Sequence, residues 1–364
     1  MRLKTFSLFL WPFWLVFAPA ATTKAVDAGN TSLPWHLTPL KYANTSTLLN
    51  VAYYEAGPPN GSAVILVHGF PYSIDAFASV VPLLTGKGYR VIVPYLRGYG
   101  ETSFLYPDTP RSAEQAALGS DLIALMDAIH IDKAIFAGYD WGTVVVNVAA
   151  ALWPERCNGH VAANSYLIQN RSTAWVPLDP DSEALRWYYY VFLTARGAAG
   201  LASNPKAWAR SLWQKNSIGW NFSEEYLDLT ATAFENTDYV DIVLNFYRNR
   251  LLYAPGDPKY SALALRLDVQ PPISARSVTF DPQNSVVFPP TNGTATAKYF
   301  TGSRCHYVLP NVGENVPYQA PKMFANAIFA VDNLPLHGTD VISTRNSQRE
   351  AAASICHHVL PFIN

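Results

Sequence analysis

Cysteine is scarce in this chain: Cys157, Cys305 and Cys356 are the only three among 364 residues. At most one intramolecular disulfide can form, which excludes a disulfide-stapled scaffold, and no Cys or His spacing resembles a zinc site. Buried free thiols are the expectation. An excess of either charge is also missing, since 26 Lys and Arg stand against 27 Asp and Glu. That leaves no basic field for nucleic acid and no polybasic membrane patch. The Gly-rich run Leu96-Arg97-Gly98-Tyr99-Gly100 lacks the Lys-Ser/Thr or third glycine of a phosphate loop, so it reads as a structural loop beside a site floor. Neither metal nor cofactor is implied, and there is no internal repeat. The longest early apolar run, Phe6 to Phe17, is broken by Pro12 and shorter than the ~20 residues a spanning helix needs.

What the chain does have is apolar content: 49% hydrophobic and 15% charged residues suffice for a large core. The expected partner is a small, hydrophobic, largely uncharged molecule. Arg2 and Lys4, the apolar run and Ala18-Pro19-Ala20 fit a signal peptide over residues 1–20. Sequons begin at Asn30, Asn44, Asn60, Asn170, Asn221 and Asn292, which together favour a eukaryotic, N-glycosylated protein of the secretory pathway, without a stable anchor after signal removal.

The stretch Phe136-Ala137-Gly138-Tyr139-Asp140-Trp141-Gly142-Thr143 organises the rest. A short apolar strand, a Gly-x-Asp-x-Gly turn and a helix make a nucleophile elbow, with glycines where strand and helix backbones crowd together. A carboxylate at its centre suits attack on a saturated carbon, such as an epoxide or alkyl halide. Strands are expected at Leu48–Glu55, Ala63–Val67, Arg90–Pro94, Ala134–Ala137, Val161–Asn164, Ser277–Phe280 and, last, around Tyr299-Phe300 and His306–Leu309. Helical spacing marks 112–129 and 322–331. Such alternation implies an α/β fold with a mostly parallel sheet and helices on both faces. The stretch 169–268 carries aromatic, helical patterns and reads as an inserted cap between core segments 34–168 and 269–332. A tail, 333–364, follows.

With these residues in view, the chain resembles the epoxide hydrolase branch of the α/β-hydrolase fold over roughly residues 34 to 332. His68-Gly69-Phe70-Pro71, the Gly-rich loop, Gly138-Tyr139-Asp140-Trp141-Gly142 and Asn245-Phe246-Tyr247-Arg248 occur in that family's order, and the family's fungal enzymes of secondary-metabolite biosynthesis are one expected home for the chain. The resemblance implies Asp140 as nucleophile, with the backbone N–H groups of Phe70 and Trp141 holding its spare oxygen. It implies Tyr247 as hydrogen-bond donor to the epoxide oxygen, with Tyr188 or Tyr190 as its partner. His68, Pro71 and Trp187 are expected to line the substrate pocket. The family's catalytic His falls at Glu314 and its supporting acid at Ser285, with Asp281 a displaced acid and His306 a substitute base in principle. Loss of a triad-type base costs ~10⁴ to 10⁶ in rate, so ordinary two-step hydrolysis is expected to be impaired. Three readings follow. One is epoxide opening through Asp140, Glu314 and the cap tyrosines, the two carboxyls sharing a proton. Another is a non-hydrolytic cyclase or isomerase. The third is a non-catalytic binder that retains the pocket.

Overall fold

The computed structural model describes residues 36–335 and the backbone of Asp340 and Val341. The expected signal peptide, the Asn30 sequon and nearly all of the tail, with Cys356, lie outside the described residues. Ten strands form one sheet: β1 (Lys41–Asn44), β2 (Leu49–Ala56), β3 (Ala63–Val67), β4 (Arg90–Pro94), β5 (Ser103–Phe104), β6 (Ala134–Gly138), β7 (Cys157–Ala163), β8 (Ser277–Pro282), β9 (Arg304–Leu309) and β10 (Asp340–Val341). Their order is β1-β2-β4-β3-β6-β7-β8-β9-β10, with β5 beside β2. From β4 to β10 every pair is parallel, while β1, β2 and β5 pair antiparallel at one edge.

The central strands are unbroken apolar runs because both of their faces are covered; all five residues of β6 are buried. One group of helices, α1 (Val81–Thr85) and the late α13 (Pro321–Asn333), packs near β4, β7 and β8; on another side α3 (Trp141–Leu152) packs against β3, β6 and β7 and carries α2 (Gln115–Ala128). Between β7 and β8 the chain forms α4 (Pro180–Leu185), α5 (Trp187–Val191), α6 (Ala195–Ser203), α7 (Pro205–Asn216), α8 (Glu224–Thr232), α9 (Tyr239–Arg250) and α10 (Ser261–Asp268). Side-chain caps from Asp179, Thr194, Asn204 and Ser223 start α4, α6, α7 and α8, each satisfying a backbone N–H that has no intrahelical acceptor. The short α11 (Thr294–Ala297) and α12 (Val316–Gln319) precede α13 (Pro321–Asn333). Among the described residues no helix is long and apolar enough to cross a membrane.

Several boundaries differ from the sequence pattern. β7 starts at Cys157, because Gly159 lets Val331 of α13 approach its backbone where the sequence reads Asn-Gly-His. Tyr299 and Phe300 form no strand; Phe300 makes a single bridge to Ile273. β1 carries no alternating pattern, being an exposed edge. The thiol expectation is corrected in part: Cys157 is free and buried, but Cys305 is disulfide-bonded.

Candidate active site

Asp140 ends the β6 turn with φ 53° and ψ −125° and caps α3, a conformation that costs an L-residue energy and is held by its surroundings. A Cβ at Gly142 would run into the Val67 carbonyl, and one at Gly69 would strike the Asp140 carboxylate itself. Glycine at 69 therefore lets the loop after β3 close over the nucleophile. The closure delivers the Phe70 N–H to Asp140 Oδ1 at 2.6 Å, and the Trp141 N–H reaches the same oxygen at 2.6 Å. With Oδ1 held twice, Oδ2 is the oxygen left to act. Burial pushes the Asp140 carboxyl up from 3.8 to about 6, against the opposing pull of these two N–H groups. Asp140 as a whole residue is partly exposed.

Above this floor sit the cap aromatics. Trp141 Nε1–H donates to the Tyr247 hydroxyl at 3.3 Å, so the phenol's own proton is left for another acceptor. The Tyr188 ring lies 5.5 Å from that of Tyr247, edge to face, and Phe70 packs against both of them and Trp141. Burial raises both phenols well above 10, and the Asp140 charge raises them further. They are neutral donors. Tyr190 is not part of this group: it is 41% exposed and bonds Glu183 at the surface. Helical geometry turns it away from Tyr188, whereas Tyr189, 4.6 Å from Tyr247 between ring centres, adjoins the site.

Two further pocket expectations are corrected. His68 is fully buried; its Nε2 accepts the Leu96 N–H at 3.2 Å and its Nδ1 donates to the Gly69 carbonyl at 3.1 Å. It braces the loop from behind, and burial lowers its pKa to about 4. Trp187 stacks on Trp208 at 5.5 Å within the cap and touches the site's aromatics through Tyr188. Pro71 is buried, and its carbonyl takes the Trp213 indole N–H at 3.1 Å.

Glu314, on the loop after β9, is 4% exposed. Its N–H donates to Ser217 Oγ at 2.9 Å. Ser285 Oγ accepts the Phe288 N–H at 3.1 Å and gives its proton to Glu314 Oε1. Oε2 is buried without a hydrogen-bond partner among the described residues. Burial, reinforced by the Asp140 charge and opposed by Ser285, pushes Glu314 up from 4.5 to about 8. At neutral pH the site thus holds an ionised Asp140 and a protonated Glu314, whose proton falls on Oε2 because Oε1 is already an acceptor. The other two residues are engaged elsewhere. Asp281 Oδ2 binds the Thr291 N–H and hydroxyl at 2.8 and 2.7 Å, and His306 contacts Thr279, Arg304, Thr291 and Asp281.

Residues 62–251 match the family model of the alpha/beta hydrolase fold. The chain belongs to that family. Within it the likeness is to epoxide hydrolases. A solved candidate epoxide hydrolase from Klebsiella pneumoniae superposes with a TM-score of 0.80 at 39% identity, covering 83% of this chain and 99% of that one. Epoxide hydrolase A of Mycobacterium tuberculosis is 38% identical over 102 residues, 28% of this chain and 31% of its own length. Bifunctional epoxide hydrolase 2 of Sus scrofa is 33% identical over 215 residues, 58% of this chain and 35% of its own. The matches thus span about a third of these two curated relatives' lengths. The chain carries an acid, Asp140, at its elbow, but the residues around it had mixed legibility in sequence. Ser217 and Tyr189 carry no motif, whereas Gly69 was readable from its place beside Phe70.

Proposed function

We propose that this α/β hydrolase opens the epoxide ring of a hydrophobic small molecule through Asp140, with Glu314 serving as acid in one half of the cycle and base in the other. The supporting observation is the buried Oε2 of Glu314, which carries the proton of a neutral carboxyl and has no partner among the described residues. In the first step Asp140 Oδ2 attacks a ring carbon, the C–O bond breaks, and the departing oxygen, held by Tyr247 and Tyr188, receives the Glu314 proton. The ester and an ionised Glu314 result. In the second step Glu314 takes a proton from water, whose oxygen adds to the ester carbonyl while Phe70 and Trp141 hold the oxyanion. The diol leaves, with Asp140 ionised and Glu314 protonated again. A general acid that becomes the base in the next step is sound chemistry where its pKa lies near the working pH. An acid at this loop then supplies what the family's histidine supplies elsewhere.

The test is a single turnover in water-18 with a hydrophobic epoxide. The covalent route leaves the first-turnover diol unlabelled and places the label in Asp140; a labelled diol refutes it. Asp140→Asn should abolish turnover while epoxide binding persists, and unchanged turnover would end the proposal.

We further propose secretion and glycosylation. Asn44, Asn60, Asn221 and Asn292 are exposed and Asn170 is half-buried, which suits modification. Treating the secreted protein with a glycosidase should lower its mass by several glycans; an unchanged mass argues against the assignment.

A further inference from the structure

Outside the inner site, the chemistry above leaves unused a cavity of about 360 Å³ between the segment after β7 and the ends of α5 and α9. Its wall includes Tyr189, Trp175, Tyr253, Phe288, Arg186 and Arg250. Trp175 and Tyr253 are each 63% exposed and lie 5.7 Å apart between ring centres, so they form an open aromatic mouth. Tyr189 is shared with the inner site through its contact with Tyr247.

Charge distinguishes this cavity from an ordinary apolar cleft. The Arg250 guanidinium makes no hydrogen bond or ion pair among the described residues, the residue's backbone carbonyl alone accepting from Gln169. It overlies the Phe246 ring, 6.0 Å from its centre, and its charge reaches Asp140 only at long range, lowering that carboxyl slightly against the effect of burial. Phe246 in turn stacks on Trp141 at 3.9 Å, which puts Arg250 one ring-stack away from the nucleophile turn. The Arg186 guanidinium lies over Phe288 and, among the described residues, donates to the carbonyls of Ser182 and Val287, so its charge has no hydrogen-bonded carboxylate. The one carboxylate in the wall, Glu183, is already engaged by the Leu178 N–H at 2.8 Å and the Tyr190 hydroxyl. A guanidinium without a hydrogen-bonded carboxylate, framed by aromatic faces, recognises a planar anion by charge-assisted hydrogen bonding and stacking.

From this geometry we infer that the cavity is a head-group subsite for a planar aromatic anion, such as an aryl carboxylate, at the end of the substrate remote from its reactive ring. Arg250 is its specificity-determining residue. The inference rests on the reading of the inner site as a substrate-opening centre, and it gives that substrate a class: a hydrophobic epoxide bearing an aromatic acid.

Calorimetric titration of the full protein with 2-naphthoate, 2-naphthalenemethanol and decanoate tests it, because none of the three carries an epoxide and binding is read without turnover. The naphthoate is expected to bind about tenfold more tightly than either comparison ligand, as a single charge-assisted contact would give. Arg250→Gln should erase that advantage over the neutral alcohol. Trp175→Ala, at an exposed position, should weaken the naphthoate and leave decanoate unchanged. Equal binding of acid and alcohol, decanoate binding as tightly as naphthoate, or naphthoate binding unchanged in Arg250→Gln would each overturn the assignment. If Asp140-dependent turnover survives while naphthoate fails to bind, only the head-group subsite falls; selective naphthoate binding without any turnover supports the subsite and counts against the proposed chemistry.

Discussion

Replacing Glu314 by Gln keeps the side chain's shape and an oxygen for Ser285 while removing the one proton that the proposed cycle passes back and forth. Raising a carboxyl from 4.5 to about 8 corresponds to roughly 5 kcal/mol against ionisation in the folded chain. Because the folded pKa is the higher one, the folded state retains a proton that the unfolded chain has lost. Stability therefore falls as pH climbs from 4.5 towards 8 and levels off beyond. Glu314→Gln lacks this penalty. Its stability relative to the parent should rise across that window, by up to roughly 5 kcal/mol at pH 9, in denaturant titrations at matched pH. Kinetically, the parent should show a bell with limbs near 6, from Asp140, and near 8, from Glu314. The variant should lose the upper limb and about 10²- to 10⁴-fold in turnover, because both half-reactions lose their proton carrier. Full turnover with both limbs intact would refute the acid–base role, and a stability difference that ignores pH would refute the buried, protonated Glu314.

Tyr247→Phe should lower kcat by about 10²-fold, with Tyr188→Phe milder and additive only in part, whereas Tyr190→Phe should leave steady-state kinetics unchanged; a defect there would return Tyr190 to the site. Arg97, whose guanidinium grips Asp121 at 2.6 and 2.7 Å in the interior, anchors the Gly-rich loop to α2. Asp121→Asn should cost about 3–5 kcal/mol in unfolding titrations, since one buried charge loses its partner, and a change below about 1 kcal/mol would contradict the burial.

Local sequence carried the parts of this protein whose physics is local. The apolar runs of β3, β4 and β6 had one reading, because a strand covered on both faces cannot alternate. The Gly138 and Gly142 pair around Asp140 had one mechanical purpose, and the Trp141 N–H follows from the turn that those glycines permit, while the Phe70 N–H follows from Gly69. The pairing of Glu314 with Ser285, 29 residues apart, was legible only through the resemblance, as two positions where it implies other residues.

Tertiary structure decided what depends on packing between distant segments. Three neighbouring tyrosines look alike in Trp187-Tyr188-Tyr189-Tyr190, and only the docking of α5 against α9 sorts them into a site residue, a shared wall and a surface residue. His68 reads as a pocket residue beside Gly69-Phe70, until the loop after β4 supplies the Leu96 N–H that turns it inward. The protonation order of Asp140 and Glu314 is of the same kind, for desolvation is a property of the fold around a carboxyl and cannot be read from its neighbours in sequence.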